Sequence, residues 1–246
     1  MVSESNMPQS ANQTPILITG VSKRIGFALA KEFLQQDQPV VGTYRQQRPE
    51  LMQLQALGAK LYQADFYRNQ SIQQLIVTLS ENYPTLRAII HNASEWLADS
   101  ANLDRVEIFR RMMQVHAAAP YQINFALAQC LKNYAKTADI IHITDYTVNT
   151  GSTKHVAYAA SKAALQNLTL SFAKLLSPKV KVNTIAPSLI MFNPEDDDEY
   201  RTRTLDKSLL KIEPGAEEVI QAVQYLLSSD YITGRTLALD GGRHLR

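Results

Sequence analysis

Ile16-Leu17-Ile18-Thr19-Gly20-Val21-Ser22-Lys23-Arg24-Ile25-Gly26 reads as a short apolar strand, a tight turn and the start of a helix. Gly20 permits the turn, and Gly26 lets a helix pack close to the strand. Ile25, Leu29 and Phe33 are spaced to share one helix face. The N-terminus of that helix offers free N–H groups and a positive dipole to a pyrophosphate. The remainder of the chain repeats the alternation. Strand-like runs lie at 39–44, 61–62, 88–91, 140–144, 180–185 and 236–239. Between them fall helical patterns at 50–57 (stopped by Gly58), at Ile72, Leu75, Ile76 and Leu79, at about 106–134, at 156–176 and at 217–227. Pro120 should bend or interrupt the long one. Most of the strands are continuously apolar, which is the mark of a parallel sheet covered on both faces. The expectation is one α/β domain, a doubly wound parallel sheet of about seven strands, with ligands over the carboxyl ends of the strands.

Composition narrows the partners. Of 246 residues 45% are hydrophobic and 20% charged, enough for a packed core. Twenty-five Lys and Arg face 23 Asp and Glu, a net charge of +2, so nothing demands nucleic acid or an acidic membrane. The lone Cys130 excludes an internal disulfide framework and a multi-Cys metal site. His91, His142, His155 and His244 show no metal-ligand spacing, and no metal is expected. No apolar run approaches the ~18–20 residues of a membrane span. The polar start lacks the basic and apolar regions of a signal peptide, so residues 1–13 are expected to be a flexible arm, 14–246 the domain, and the cytoplasm the compartment.

Two places carry chemistry. The second strand ends in Tyr44-Arg45, with Arg48 nearby, where an NAD enzyme places an acidic residue for the ribose hydroxyls. A guanidinium there suits a 2′-phosphate, so NADP(H) is expected. Asp65, after the third strand, either caps the next segment or bonds an adenine amino group. Further on, Tyr158 and Lys162 stand four residues apart on one helix and share a face. The ammonium is expected to lower the pKa of the phenol, ordinarily about 10.

With Thr19–Gly26, Asp65, His91-Asn92-Ala93-Ser94, Tyr158/Lys162, Ile185-Ala186-Pro187 and the closing Ile232-Thr233-Gly234 and Leu239-Asp240-Gly241-Gly242, the chain resembles the short-chain dehydrogenase/reductase family over residues 14–246. The resemblance implies a Rossmann-type sheet, a nicotinamide cofactor, hydride transfer and a homotetramer. It places the cofactor against Gly20, Ser22, Lys23, Arg24, Ile25, Tyr44, Arg45, Asp65, Asn92, Ala93, Ser94, Tyr158, Lys162, Pro187, Ser188 and Leu189. A substrate lid is implied at about 188–215, in which Glu195–Glu199 is expected to be a solvated run.

The departures from the family pattern are informative. Arg24 replaces the loop's central glycine, His116 the Asn of the long helix, and Ser188 the Gly after Pro187. Asp145 stands where the family keeps its catalytic Ser. A Ser hydroxyl can donate to a carbonyl oxygen that becomes an alkoxide, whereas a carboxylate only accepts. Asp145 therefore disfavours ketones and suits a substrate rich in N–H groups. The pattern is similar to the pteridine reductases of the family, which share Arg24 and Asp145. That likeness makes Arg24, Ser94, Trp96, Asp145 and Tyr158 the substrate contacts, with Trp96 stacked on a pterin. Tyr158, Lys162 and Asp145 are then the catalytic residues of an NADPH-dependent dihydropterin reductase. His116 either holds a water in a proton relay or is a satisfied core histidine. Two other readings are a ketone or acyl thioester reductase and an NADPH-binding sensor without turnover.

Overall fold

The computed structural model describes residues 14–246; the expected arm at 1–13 lies outside the described residues. The chain runs β1 (Ile16–Thr19), α1 (Arg24–Gln35), β2 (Val40–Tyr44), α2 (Glu50–Ala56), β3 (Lys60–Gln63), α3 (Asn69–Asn82) and β4 (Ala88–His91). It continues with α4 (Arg105–Met113), a π-helical turn (Gln114–Ala118), α5 (Ala119–Ala126), α6 (Ala128–Lys132), β5 (Ala138–Ile143) and the short α7 (Thr147–Thr150). The last elements are α8 (Val156–Leu176), β6 (Val180–Pro187), α9 (Asp198–Leu205), α10 (Ala216–Ser228) and β7 (Thr236–Leu239).

The strands form one seven-stranded sheet in the order β3-β2-β1-β4-β5-β6-β7, every pair parallel. Successive side chains point to opposite faces of a strand. Leu17, Ile89, Ile140 and Val182 accordingly join a core with α3, α5 and α8, while Ile16, Ile18, Ile90 and Ile185 join a second core with α1, α2 and α10. Two cores explain why the central strands read as unbroken apolar runs. The edge strands β3 and β7 are only partly buried, and β3 is correspondingly the weakest strand signal in the sequence. Strand order reverses between β1 and β4, which opens a crevice at their carboxyl ends.

The long helical stretch is interrupted beside Pro120, as expected, and once more beyond it. Pro120 sits in the first turn of α5, where its missing N–H is tolerated, but the turn before it widens into the π-helix and a second break follows at Leu127. The acidic run is solvated as expected, with Glu195, Asp197, Asp198 and Glu199 exposed, and it is ordered as well. Asp197 caps α9, its Oδ1 accepting from Tyr200 N at 2.7 Å, and Asp196 Oδ2 accepts from Asn193 N at 2.8 Å. Asp198 and Glu199 occupy the first turn, where the dipole favours them.

Gly26 is the tightest point of the α1 packing. A Cβ there would lie 2.1 Å from Gly20 O and 2.4 Å from Asn92 Nδ2. Gly26→Ala is expected to cost about 1–3 kcal/mol in denaturant unfolding, as overpacking against fixed atoms does. An unchanged unfolding midpoint would contradict this packing.

Candidate active site

A cleft of about 450 Å³ opens over the carboxyl ends of the strands. Every residue expected at the cofactor or substrate lines it: Gly20, Ser22, Lys23, Arg24, Ile25, Tyr44, Arg45, Asp65, Asn92, Ala93, Ser94, Trp96, Asp145, Tyr158, Lys162, Pro187, Ser188 and Leu189.

The nucleotide end is built on the turn after β1. Gly20 has φ +76°, and a Cβ there would lie 2.8 Å from Ala93 Cα, so only glycine fits. Thr19 Oγ1 accepts from the N–H groups of Asn92 and Ala93, each at 3.0 Å. Asn92 Nδ2 donates to Thr19 O at 3.1 Å and Gly20 O at 3.0 Å. The Asn92 amide is thereby spent on the turn, and its part in the cleft is to shape it. α1 begins without a side-chain cap, which leaves first-turn N–H groups unspent at the cleft. That donor set and the glycine-only approach fit a dinucleotide pyrophosphate.

Three side chains here have partners within the protein. Arg24 donates to Asn193 Oδ1 at 2.6 Å and Met191 O at 2.8 Å, tying the glycine turn to the segment 188–215. Arg45 pairs with Glu95 Oε2 at 2.7 Å. Asp65 Oδ1 accepts from Tyr67 N at 3.1 Å, closing a turn ahead of α3.

The chemical end is positioned from outside α8. Asp99 Oδ2 accepts from Val156 N at 2.6 Å, and His155 Nδ1 lies 3.1 Å from Leu97 O. These bonds dock the loop after β4 on the start of α8. Trp96, 53% exposed, is thus held with its ring centroid 4.4 Å from that of Tyr158 and 4.0 Å from that of His155. A core role for this tryptophan is excluded. Tyr158 donates its OH to Asp145 Oδ2 at 3.0 Å, and Asp145 Oδ1 accepts from Thr147 N at 2.8 Å.

The expected effect of Lys162 on the phenol is not observed. Lys162 Nζ donates to Ile143 O at 2.8 Å and lies 5.7 Å from the Tyr158 ring centroid. Burial, then the Asp145 carboxylate, push the Tyr158 phenol well above its ordinary pKa. Burial also lowers Lys162 to about 8, opposed by Asp145. Burial and Asp145 thus both favour the protonated phenol.

A family model described as "Enoyl-(Acyl carrier protein) reductase" matches residues 20–244. The chain belongs to the short-chain dehydrogenase/reductase family. It is 53% identical over 233 residues to a dihydromonapterin reductase of Klebsiella pneumoniae, covering 94% of this chain and 97% of that one. The structure superposes on a FolM alternative dihydrofolate reductase 1 from Brucella suis in complex with NADP, with TM-score 0.85 and 27% identity over 96% of each chain. The Brucella canis counterpart complexed with NADP gives TM-score 0.83 and 26% identity over 98% of this chain and 97% of that one.

Within this short-chain reductase, His116 sits in the π-helical turn and is almost fully buried. Ser161 Oγ donates to Tyr158 O at 2.7 Å, so it accepts from His116 Nδ1 at 2.8 Å. His116 Nε2 is then the acceptor for the Ser94 hydroxyl at 2.9 Å and for Glu95 N at 3.2 Å. Both ring nitrogens have protein partners, and burial, then Lys162, hold the pKa of His116 well below the ordinary histidine value. The satisfied-histidine alternative thus holds over a water relay, with a consequence for the cleft: Ser94 turns its proton inward and presents lone pairs to a ligand. Glu95, Tyr67, Asn193, Asp99 and Ser161 were not singled out from sequence. Their roles arise from contacts between segments far apart in the chain, which no local pattern signals.

Burial likewise holds His91 at about 4 and His142 well below the ordinary 6.5. His91 Nε2 lies 2.7 Å from Asn124 Oδ1, and Asn124 Nδ2 3.1 Å from His142 Nε2. In the unfolded chain these histidines take up protons as pH falls through about 6.5, while the folded state refuses them down to about 4 at His91. Stability is therefore expected to be intact above pH 6.5 and to fall between about 6.5 and 4. Denaturant titrations across that range check it, and a flat profile would contradict the buried neutral state.

Proposed function

We propose that the protein reduces 7,8-dihydromonapterin to the 5,6,7,8-tetrahydro form with NADPH, and dihydrofolate more weakly. The observation that carries this reading is Asp145 in the cleft, hydrogen-bonded to Tyr158 and without a serine hydroxyl in its place. Bound NADPH supplies hydride to C6 of the pterin.

The chain's own groups do the rest. Tyr158 donates a proton toward N5, the nitrogen that becomes an amine, and its raised pKa keeps that proton available across the neutral range. Asp145 orients the Tyr158 hydroxyl and accepts from pterin N–H groups. Ser94, with its proton fixed on His116, adds a second acceptor. Trp96 stacks on the ring and restricts its approach. Lys162 holds the cofactor ribose, while Gly20, Ser22, Lys23, Ile25 and Ala93 receive the phosphates and adenosine, and Arg45 the 2′-phosphate. Pro187, Ser188 and Leu189 form the wall toward the nicotinamide. The segment 188–215 serves as the lid, hinged on the Arg24 contacts to Met191 and Asn193. The match to an enoyl-(acyl carrier protein) reductase model raises an acyl thioester as a second substrate class, but the Asp145 carboxylate offers no donor to its carbonyl oxygen.

Steady-state kinetics with dihydromonapterin, dihydrobiopterin and dihydrofolate, each with NADPH and NADH, test the assignment. The highest kcat/KM is expected for dihydromonapterin with NADPH. A preference for NADH, or for dihydrofolate, would overturn that order.

The assembly is proposed to be a homotetramer in the cytoplasm, where thiols such as the unpaired Cys130 stay reduced. Among the described residues no helix is long and apolar enough to cross a membrane. Val106, Phe109, Tyr121 and Phe125 on α4 and α5 are exposed, as is the β7 edge, and such surfaces suit subunit contacts. Light scattering is expected to report four chains; a monomer would contradict it.

A further inference from the structure

Arg45 follows β2 and Glu95 follows β4, and in the strand order β3-β2-β1-β4 the end of β1 lies between them. The 2.7 Å ion pair of Arg45 Nη2 with Glu95 Oε2 therefore crosses above the turn where the cleft opens. Tyr67, after β3, donates its OH to the same Glu95 oxygen at 3.0 Å. The Arg45 guanidinium carbon lies 5.1 Å from the Tyr67 ring centroid, and that of Arg111 5.2 Å from it. Arg111 has its own anion, Glu107 Oε1 at 2.6 Å, so Glu95 is the carboxylate that faces Arg45 among the described residues. The Glu95 backbone is fixed as well, since its N–H donates to the buried His116 at 3.2 Å. Three strand ends are thus joined by one half-buried carboxylate across the nucleotide crevice.

We infer that Glu95 is a specificity-determining residue for the cofactor: it occupies Arg45, and the 2′-phosphate of a nucleotide binds by taking Arg45 away from it. The inference rests on the reading of NADPH as cofactor and adds a competing anion to it. A carboxylate in that place opposes a second anion beside the same guanidinium, while it leaves a plain ribose hydroxyl unopposed or accepts from it. Glu95 then sets how tightly the phosphorylated nucleotide is held and narrows the margin over the unphosphorylated one.

Calorimetric titration of the full chain with 2′,5′-ADP and 5′-AMP separates the possibilities without turnover. The wild-type protein is expected to prefer 2′,5′-ADP. Glu95→Gln, which keeps the side chain's size, is expected to tighten 2′,5′-ADP by up to ~5-fold, as removal of a partly exposed ion pair allows. Binding of 5′-AMP should stay the same or weaken, and the gain should shrink at high salt. If 2′,5′-ADP binds Glu95→Gln no tighter, or both nucleotides tighten alike, the inference is overturned while the cofactor reading stands. If the wild-type protein shows no preference for 2′,5′-ADP, the cofactor reading falls and takes the inference with it.

Discussion

Tyr158→Phe is expected to lower kcat at least ~100-fold with little change in KM, within the range that acid–base groups contribute. The substitution removes one atom and keeps the ring. The edge contacts with Trp96 at 4.4 Å and with His116 at 5.4 Å survive, so the cleft keeps its shape. What is lost is the acidic proton that the hydroxyl holds on Asp145 Oδ2. A loss in kcat without a matching rise in KM marks a group that acts in the transition state. Near-native turnover would remove Tyr158 from the mechanism, and a proportional rise in KM would make it a binding residue.

Asp145→Ser is expected to lower kcat/KM for dihydromonapterin about 100-fold while NADPH binding stays within a few-fold. The size follows from hydrogen bonds to a charged group, about 1.5–3 kcal/mol each. Ser restores the neutral alcohol of the wider family but gives up the second acceptor oxygen. Asp145 Oδ1 also accepts from Thr147 N, which opens the short α7, so some loss has a structural origin. Asp145→Asn separates the two effects, because it keeps an oxygen for Thr147 and removes the charge. If either variant loses NADPH binding as steeply as pterin reduction, Asp145 is a scaffold residue and the substrate assignment loses its support.

The sheet was legible in the sequence because its central strands are buried on both faces and their helices carry one apolar stripe each. Ile16–Thr19 with Gly20 and Gly26 specifies a strand, a turn and a close-packed helix by local chemistry alone. The region 106–134 was less legible. A single helical period runs through it, and Pro120 marks only one of its irregularities; the widened turn at Gln114–Ala118 and the break at Leu127 carry no glycine or second proline to signal them. Likewise, residue types placed Asp145, Tyr158 and Lys162 in one site, but not the sign of the effect on Tyr158. Local spacing pairs Tyr158 with Lys162 one turn away, whereas the fold points Lys162 at Ile143 O and brings Asp145 from the end of another strand. His116 shows the same limit. Its position was readable, and its partners Ser94 and Ser161, 22 and 45 residues away, were not.

The central claim is that a carboxylate beside the acidic tyrosine commits the cleft to an amine-forming reduction. Parallel assays of NADPH consumption by the unmodified protein, one with dihydromonapterin and one with a simple aldehyde, test it directly. Rapid consumption with dihydromonapterin and none with the aldehyde is the expected result. An inert dihydropterin beside a readily reduced aldehyde would contradict it.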